Sequence, residues 1–141
     1  MNEYRYEDLK IGQAESFEIQ VTEEMEERFR ELTGDINPLH RDDSFAKDIG
    51  EGKFKGHVVF GMLTASFYST LAGVYLPGKN SLIHSLDIKF QKPVYAGDKL
   101  TGCGEVVDKQ DGLKLIQVKA VIKNERNESV SKASIKILVL K

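Results

Sequence analysis

The 141-residue chain reads as one α+β domain, residues 1–141, in which a curved antiparallel sheet wraps a central helix. Three observations predict this. Alternating apolar segments crowd the second half of the chain, a charge-free helical run spans Gly61 to Gly73, and no linker, repeat or low-complexity tract separates them. A domain of this size buries roughly 70% of the surface its unfolded chain exposes, enough for one core but not for two.

The elements follow in order. Phe17, Ile19 and Val21 alternate with polar residues, the mark of a half-buried strand. Thr22 then serves as an N-cap, with Glu23 and Glu24 in a first turn that favours carboxylates. Met25, Phe29 and Leu32 recur at helical spacing, and Gly34 stops the helix. Beyond an irregular stretch at Asn37-Pro38, a short helix is expected near Asp42 to Asp48, closed by Gly50. The run GMLTASFYSTLAG mixes small residues with Met62, Leu63, Phe67 and Leu71 and carries no charge, so burial on most of its faces is expected. Leu82, His84, Leu86, Ile88 and Phe90 form one apolar face of a strand. Pro93 and Ala96-Gly97-Asp98 mark a turn. Two further strands carry Ile116, Val118, Ala120 and Ile122, then Ala133, Ile135, Ile137 and Val139, with hairpin connections at Asp111-Gly112 and Asn124 to Asn127. A helix wrapped by such a sheet is the hot-dog arrangement.

Composition narrows the function classes. With 20 Lys+Arg against 22 Asp+Glu the net charge is -2, without the basic surplus on which nucleic-acid binding depends. At 40% hydrophobic residues the chain is too apolar for a disordered acidic segment. Its longest apolar stretch, Val58 to Leu63, falls far short of the about 18 residues of a membrane span. The N-terminal MNEYRYEDLKIG lacks the apolar region of a secretory signal, so a soluble, cytoplasmic protein is expected. The single cysteine, Cys103, is expected as a buried or half-buried strand residue. His40, His57 and His84 lack the spacing of a metal-ligand set, and no metal site is expected. Gly102-Cys103-Gly104 lacks the strand-to-helix context of a nucleotide fingerprint and reads as relief of crowding in a curved strand. Lysines such as Lys53, Lys55, Lys79, Lys89 and Lys92 read as solvated.

The chemistry concentrates in Leu32-Thr33-Gly34-Asp35-Ile36-Asn37-Pro38-Leu39-His40. Pro38 forbids a regular helix through this segment, so the chain turns and both Asp35 and His40 can point into one pocket. A carboxylate beside an imidazole, the side chain that titrates nearest neutral pH, can orient a water and move its protons. The same residues also fit a plain turn, with Asp35 capping beside Gly34 and Asn37 and His40 on the surface.

The ordered blocks LTGDINPLHRDDSFA, GHVVFGMLTAS and LDIKFQKPVYAGDKL resemble the MaoC-like family of (R)-specific enoyl-CoA hydratases and dehydratases, over about Tyr6 to Thr101. The resemblance implies a hot-dog domain, usually a homodimer, that adds water reversibly to trans-2-enoyl thioesters of coenzyme A or an acyl-carrier protein. The thioester enters as substrate, and no cofactor is implied. Carried onto this chain, Asp35 and His40 form the catalytic dyad, Asn37 supports their loop, the Gly61 N–H holds the oxyanion, and Ser69 matches a pocket serine. The chain departs from the pattern where a histidine usually precedes Gly-Met: Phe60 stands there, which alters the pocket lining and bears on acyl selectivity. His57, three residues earlier, either compensates or faces solvent, and His84 reads as a core or interface residue. Two other readings compete. A hot-dog thioesterase would use a carboxylate on or near the central helix, and the absence of Asp and Glu between Gly61 and Gly73 argues against it. A non-catalytic thioester-binding subunit is disfavoured by the presence of both Asp35 and His40, while Phe60 keeps that reading open.

Overall fold

The computed structural model describes residues 1–141. Strand β1 (Ala14–Gln20) leads through Val21 into helix α1 (Glu23–Thr33). Thr22 caps that helix, its hydroxyl accepting from the Met25 N–H at 3.2 Å, and Gly34 ends it in the left-handed conformation at φ 73°. A single turn, Pro38–His40, precedes α2 (Asp43–Ile49), which is capped by Asp42 and followed by Gly50. Helix α3 (Gly61–Thr70) widens into a π-helical turn at Leu71–Tyr75. Strands β2 (Ser81–Phe90), β3 (Lys99–Gln110), β4 (Leu115–Lys123) and β5 (Ser129–Val139) complete the chain.

The five strands form one antiparallel sheet in the order β1-β3-β4-β5-β2, curved around α3 in the hot-dog arrangement. Ile116, Val118, Ile122, Ile135 and Ile137 belong to the same core as Tyr68 of α3 and Leu71 of the π-helical turn, and all are essentially buried. The Tyr68 hydroxyl is satisfied within this core by Ser131 Oγ at 2.9 Å. Curvature explains the glycines of β3. A Cβ on Gly102 would come within 2.6 Å of the Phe17 ring, and one on Gly104 within 2.7 Å of Leu71. Cys103 between them is free and half-buried. No helix is long and apolar enough to cross a membrane.

Two expectations about packing need correction, and a third holds on all faces but one. On α1 the most deeply buried side chains are Glu26 and Arg30, whereas Leu32 is 83% exposed. On α3 Leu63, Thr64, Ala65, Phe67 and Tyr68 are buried and only Met62, Ser66 and Ser69 lie open along one narrow face, so within a single chain the helix is buried on most faces, as expected. On β2 the pairing jumps from Ile83↔Ile137 to Ser85↔Lys136, leaving His84 as the extra residue of a bulge. The slip turns Ile83 towards the core instead of Leu82 and leaves His84 outside the core, exposed in the single chain.

Candidate active site

The loop after α1 is built from short local bonds. The Asp35 N–H donates to Thr33 Oγ1 at 3.2 Å, the Asn37 N–H to Asp35 Oδ1 at 3.1 Å, and the Leu39 N–H to Asn37 Oδ1 at 3.0 Å. These side-chain turns mimic backbone turns and reverse the chain without a helix. Asp35 Oδ2 is left without a protein partner.

His40 is held from three sides. Its Nδ1 lies 2.8 Å from the Val58 carbonyl oxygen. A carbonyl only accepts, so Nδ1 carries the proton and Nε2 of the neutral ring keeps its lone pair free. The Phe60 ring stacks on the imidazole with centroids 4.2 Å apart and planes 30° apart. Arg30 Nη2 donates to the His40 carbonyl at 3.1 Å, and its guanidinium lies 5.7 Å from the centre of the Phe60 ring. Asp35 and His40 line one cavity of about 290 Å³ together with Phe29, Phe60, Gly61 and Phe90.

The first turn of α3 forms the rear of this cavity. Phe60 stands at the N-cap and offers no side-chain acceptor, and the Gly61 and Met62 N–H groups have no partner within the protein. Gly61 is small for a reason: a Cβ there would come within 3.2 Å of the Phe90 ring. A second cavity, also about 290 Å³, lies on the other side of Gly61 and Phe90, with an apolar lining that includes Phe54, Val59, Val94 and Val130.

The structure thus brings together Asp35, His40, Phe60 and Gly61, with Asn37 supporting the loop from outside. Ser69 is not among them. It lies eight residues beyond Gly61, about 12 Å along the helix axis, on the exposed face shared with Met62 and Ser66. His57 does not enter the cavity; it is bonded to Asp43 and Glu26. Arg30, Phe29 and the Val58 carbonyl were missed by sequence reasoning. For Arg30 a signal exists, since a charged residue four positions after Glu26 shares the stripe of Met25 and Phe29. The Val58 carbonyl has none, because any residue type supplies one.

A model of the MaoC like domain matches residues 8–128. The chain belongs to the MaoC-like domain family. Among curated relatives, this MaoC-like chain is 42% identical over 78 residues to an (R)-specific enoyl-CoA hydratase of Aeromonas caviae, covering 55% of this chain and 56% of that protein. It is 34% identical over 96 residues to an (R)-specific enoyl-CoA hydratase of Rhodospirillum rubrum, covering 68% of this chain and 65% of that one. The matches therefore span less than two thirds of either relative. Among solved structures, an (R)-hydratase of A. caviae involved in PHA biosynthesis superimposes with a TM-score of 0.85 at 28% identity, covering 93% of this chain and 97% of that chain.

Proposed function

We propose that this MaoC-like chain adds water across the double bond of trans-2-enoyl thioesters to give (R)-3-hydroxyacyl thioesters, and catalyses the reverse dehydration. The observation that carries the reading is the free Nε2 of His40, aimed by the Val58 carbonyl, in one cavity with Asp35 and beside the unpaired Gly61 N–H. The relatives' names support the reaction and its (R) sense.

In this reading one water is held between His40 Nε2 and Asp35 Oδ2. As its oxygen bonds to C3, its proton passes to the dyad, the C2–C3 π electrons move towards the thioester carbonyl, and the dyad returns a proton to C2. Negative charge develops on the carbonyl oxygen, which accepts from the Gly61 N–H at the positive end of α3. A preorganised donor of this kind contributes roughly 100- to 1,000-fold in rate, and positioned acid–base groups roughly 100- to 10,000-fold. Water is the only co-reactant, so the balance calls for no redox cofactor. The substrate is a thioester of coenzyme A or an acyl-carrier protein.

The functional unit in this reading is a homodimer. Strand β2 pairs only with β5 and leaves its other edge open, while Met62 of α3 and Leu86 and Phe90 of β2 itself are 63%, 41% and 53% exposed. A second copy across this edge covers those side chains and walls the cavity that Met62 and Phe90 line. A cytoplasmic setting accords with the free thiol of Cys103.

Incubation with crotonyl-CoA tests the reaction. Loss of enoyl-thioester absorbance with formation of (R)-3-hydroxybutyryl-CoA is the expected result. Release of free coenzyme A would assign a thioesterase instead, and no change would leave only a binding role.

A further inference from the structure

We infer that His57 is a positioning residue for this same site, bridging α1 and α2 so as to fix the strap Gly56–Phe60 that aims His40 and presents Gly61. The inference rests on the hydratase reading. His57 is tied at three points: its N–H donates to Asp43 Oδ1 at 2.8 Å, its ring Nδ1 lies 2.6 Å from the same oxygen, and its Nε2 lies 3.4 Å from Glu26 Oε2. Gly56 permits the approach, since a Cβ there would come within 2.9 Å of Asp43 Oδ1. The next residue is Val58, whose carbonyl sets the His40 tautomer and whose N–H donates to the Leu39 carbonyl at 3.1 Å. Two residues later Phe60 stacks on His40. Displacement of His57 is therefore transmitted to both halves of the site within four residues.

The bridge also has a protonation requirement. Glu26 is 3% exposed, and its Oε1 has no partner within the protein. A carboxylate buried to this extent is costly as an uncompensated charge unless it shares a proton with its neighbour. With one proton between them, His57 and Glu26 form either an imidazolium–carboxylate pair or a neutral pair, and both close the bridge. When that proton is lost, Nε2 and Oε2 become two acceptors facing each other, and the buried charge is uncompensated. Burial pushes the Glu26 carboxyl up. For His57 burial opposes the charged ring, but the bond to Asp43 and the charge of Glu26 outweigh it, and its pKa is raised. The other charged groups facing the bridge are Glu23 and Arg30 from α1, Lys47 from α2, and Lys55, Asp98 and Arg126 around an adjoining cavity of about 330 Å³. Both raised groups have the same sign: they support the strap at low pH, and the support is lost as pH rises through their folded pKa values.

The test follows kcat and KM for crotonyl-CoA hydration against pH in the wild type, His57→Gln and Glu26→Gln, alongside NMR of the His57 and His40 rings. A shift of about 1 Å at the strap is expected to lower kcat about 10- to 100-fold in His57→Gln with KM little changed. The alkaline limb of the wild-type profile should follow the His57 titration seen by NMR, disappear in His57→Gln, and move with the His57 midpoint in Glu26→Gln. A His57→Gln profile of unchanged shape, or a limb that stays while the His57 midpoint moves, would overturn the inference. If the wild type hydrates no enoyl thioester, the functional reading fails separately. The structural claim is then read from the His40 Nδ1 proton: faster exchange in His57→Gln supports it, and unchanged exchange overturns it.

Discussion

The Val58 carbonyl oxygen stands 2.8 Å from His40 Nδ1, and this contact leaves Nε2 as the ring nitrogen with a free lone pair, the base of the proposed hydration. A backbone acceptor cannot be altered by changing the Val58 side chain, so the arrangement is open to test mainly through the groups around it.

Replacing Asp35 by Asn or His40 by Ala should each lower kcat/KM about 100- to 10,000-fold, the range of positioned acid–base groups. Asp35 is exposed, so Asp35→Asn should leave the thermal midpoint nearly unchanged. Steady-state hydration kinetics paired with thermal melts check both points, and near wild-type turnover in either variant would remove that residue from the mechanism.

Phe60→Leu keeps a buried apolar side chain but removes the ring that lies against His40 and Phe29. Aromatic pairs contribute about 0.5–1.5 kcal/mol beyond their buried area, so a stability loss of that order is expected, with a larger fall in kcat than in denaturation midpoint. Parallel urea denaturation and kinetics separate the two effects.

Gly104→Ala forces a methyl group to within 2.7 Å of Leu71 and 2.9 Å of Val118 on the inner face of β3. Overpacking of this kind costs about 1–3 kcal/mol. A denaturation midpoint equal to that of the wild type would show that the π-helical turn and β4 give way more readily than their packing indicates.

The Glu128 carboxyl, in the β4–β5 connection, is held down to about 2 by hydrogen bonds from Lys92 beyond β2 and from Asn124 and Arg126 of the same connection. A lowered carboxylate supports the fold above its unfolded pKa, near 4.5, and that support is lost as pH falls towards 2. Glu128→Gln should therefore reduce the steepness of acid destabilisation between those values, as read by denaturation at a series of pH values.

Leu86→Asp places a charge on the open apolar lip of β2. The variant is expected to sediment as a monomer and to lose turnover where the wild type is a dimer, because Phe90 and Met62 then line an unwalled cavity. Analytical ultracentrifugation with matched kinetics decides this; a wild-type monomer with full activity would remove the dimer from the reading.

Features that depend on a few neighbouring residues were legible in the chain itself. Thr22 and Gly34 bound α1 because capping and left-handed turns are local physics. Asp35, Asn37, Pro38 and His40 form a turn with two free polar groups because their own side chains close it. The glycines of β3 announce crowding, and the charge-free run from Gly61 announces the helix that the sheet wraps. Tertiary structure alone decided what lies opposite each group. Glu26 and Arg30 are buried because His57, the His40 carbonyl and Phe60 meet them there, and the bulge at His84 turns β2 over by slipping one residue against β5. Ser69 leaves the site because helix geometry carries it about two turns from Gly61. The His40 tautomer, on which the proposed chemistry turns, is set by a carbonyl 18 residues away, and a carbonyl is common to every residue type and so leaves no trace in sequence.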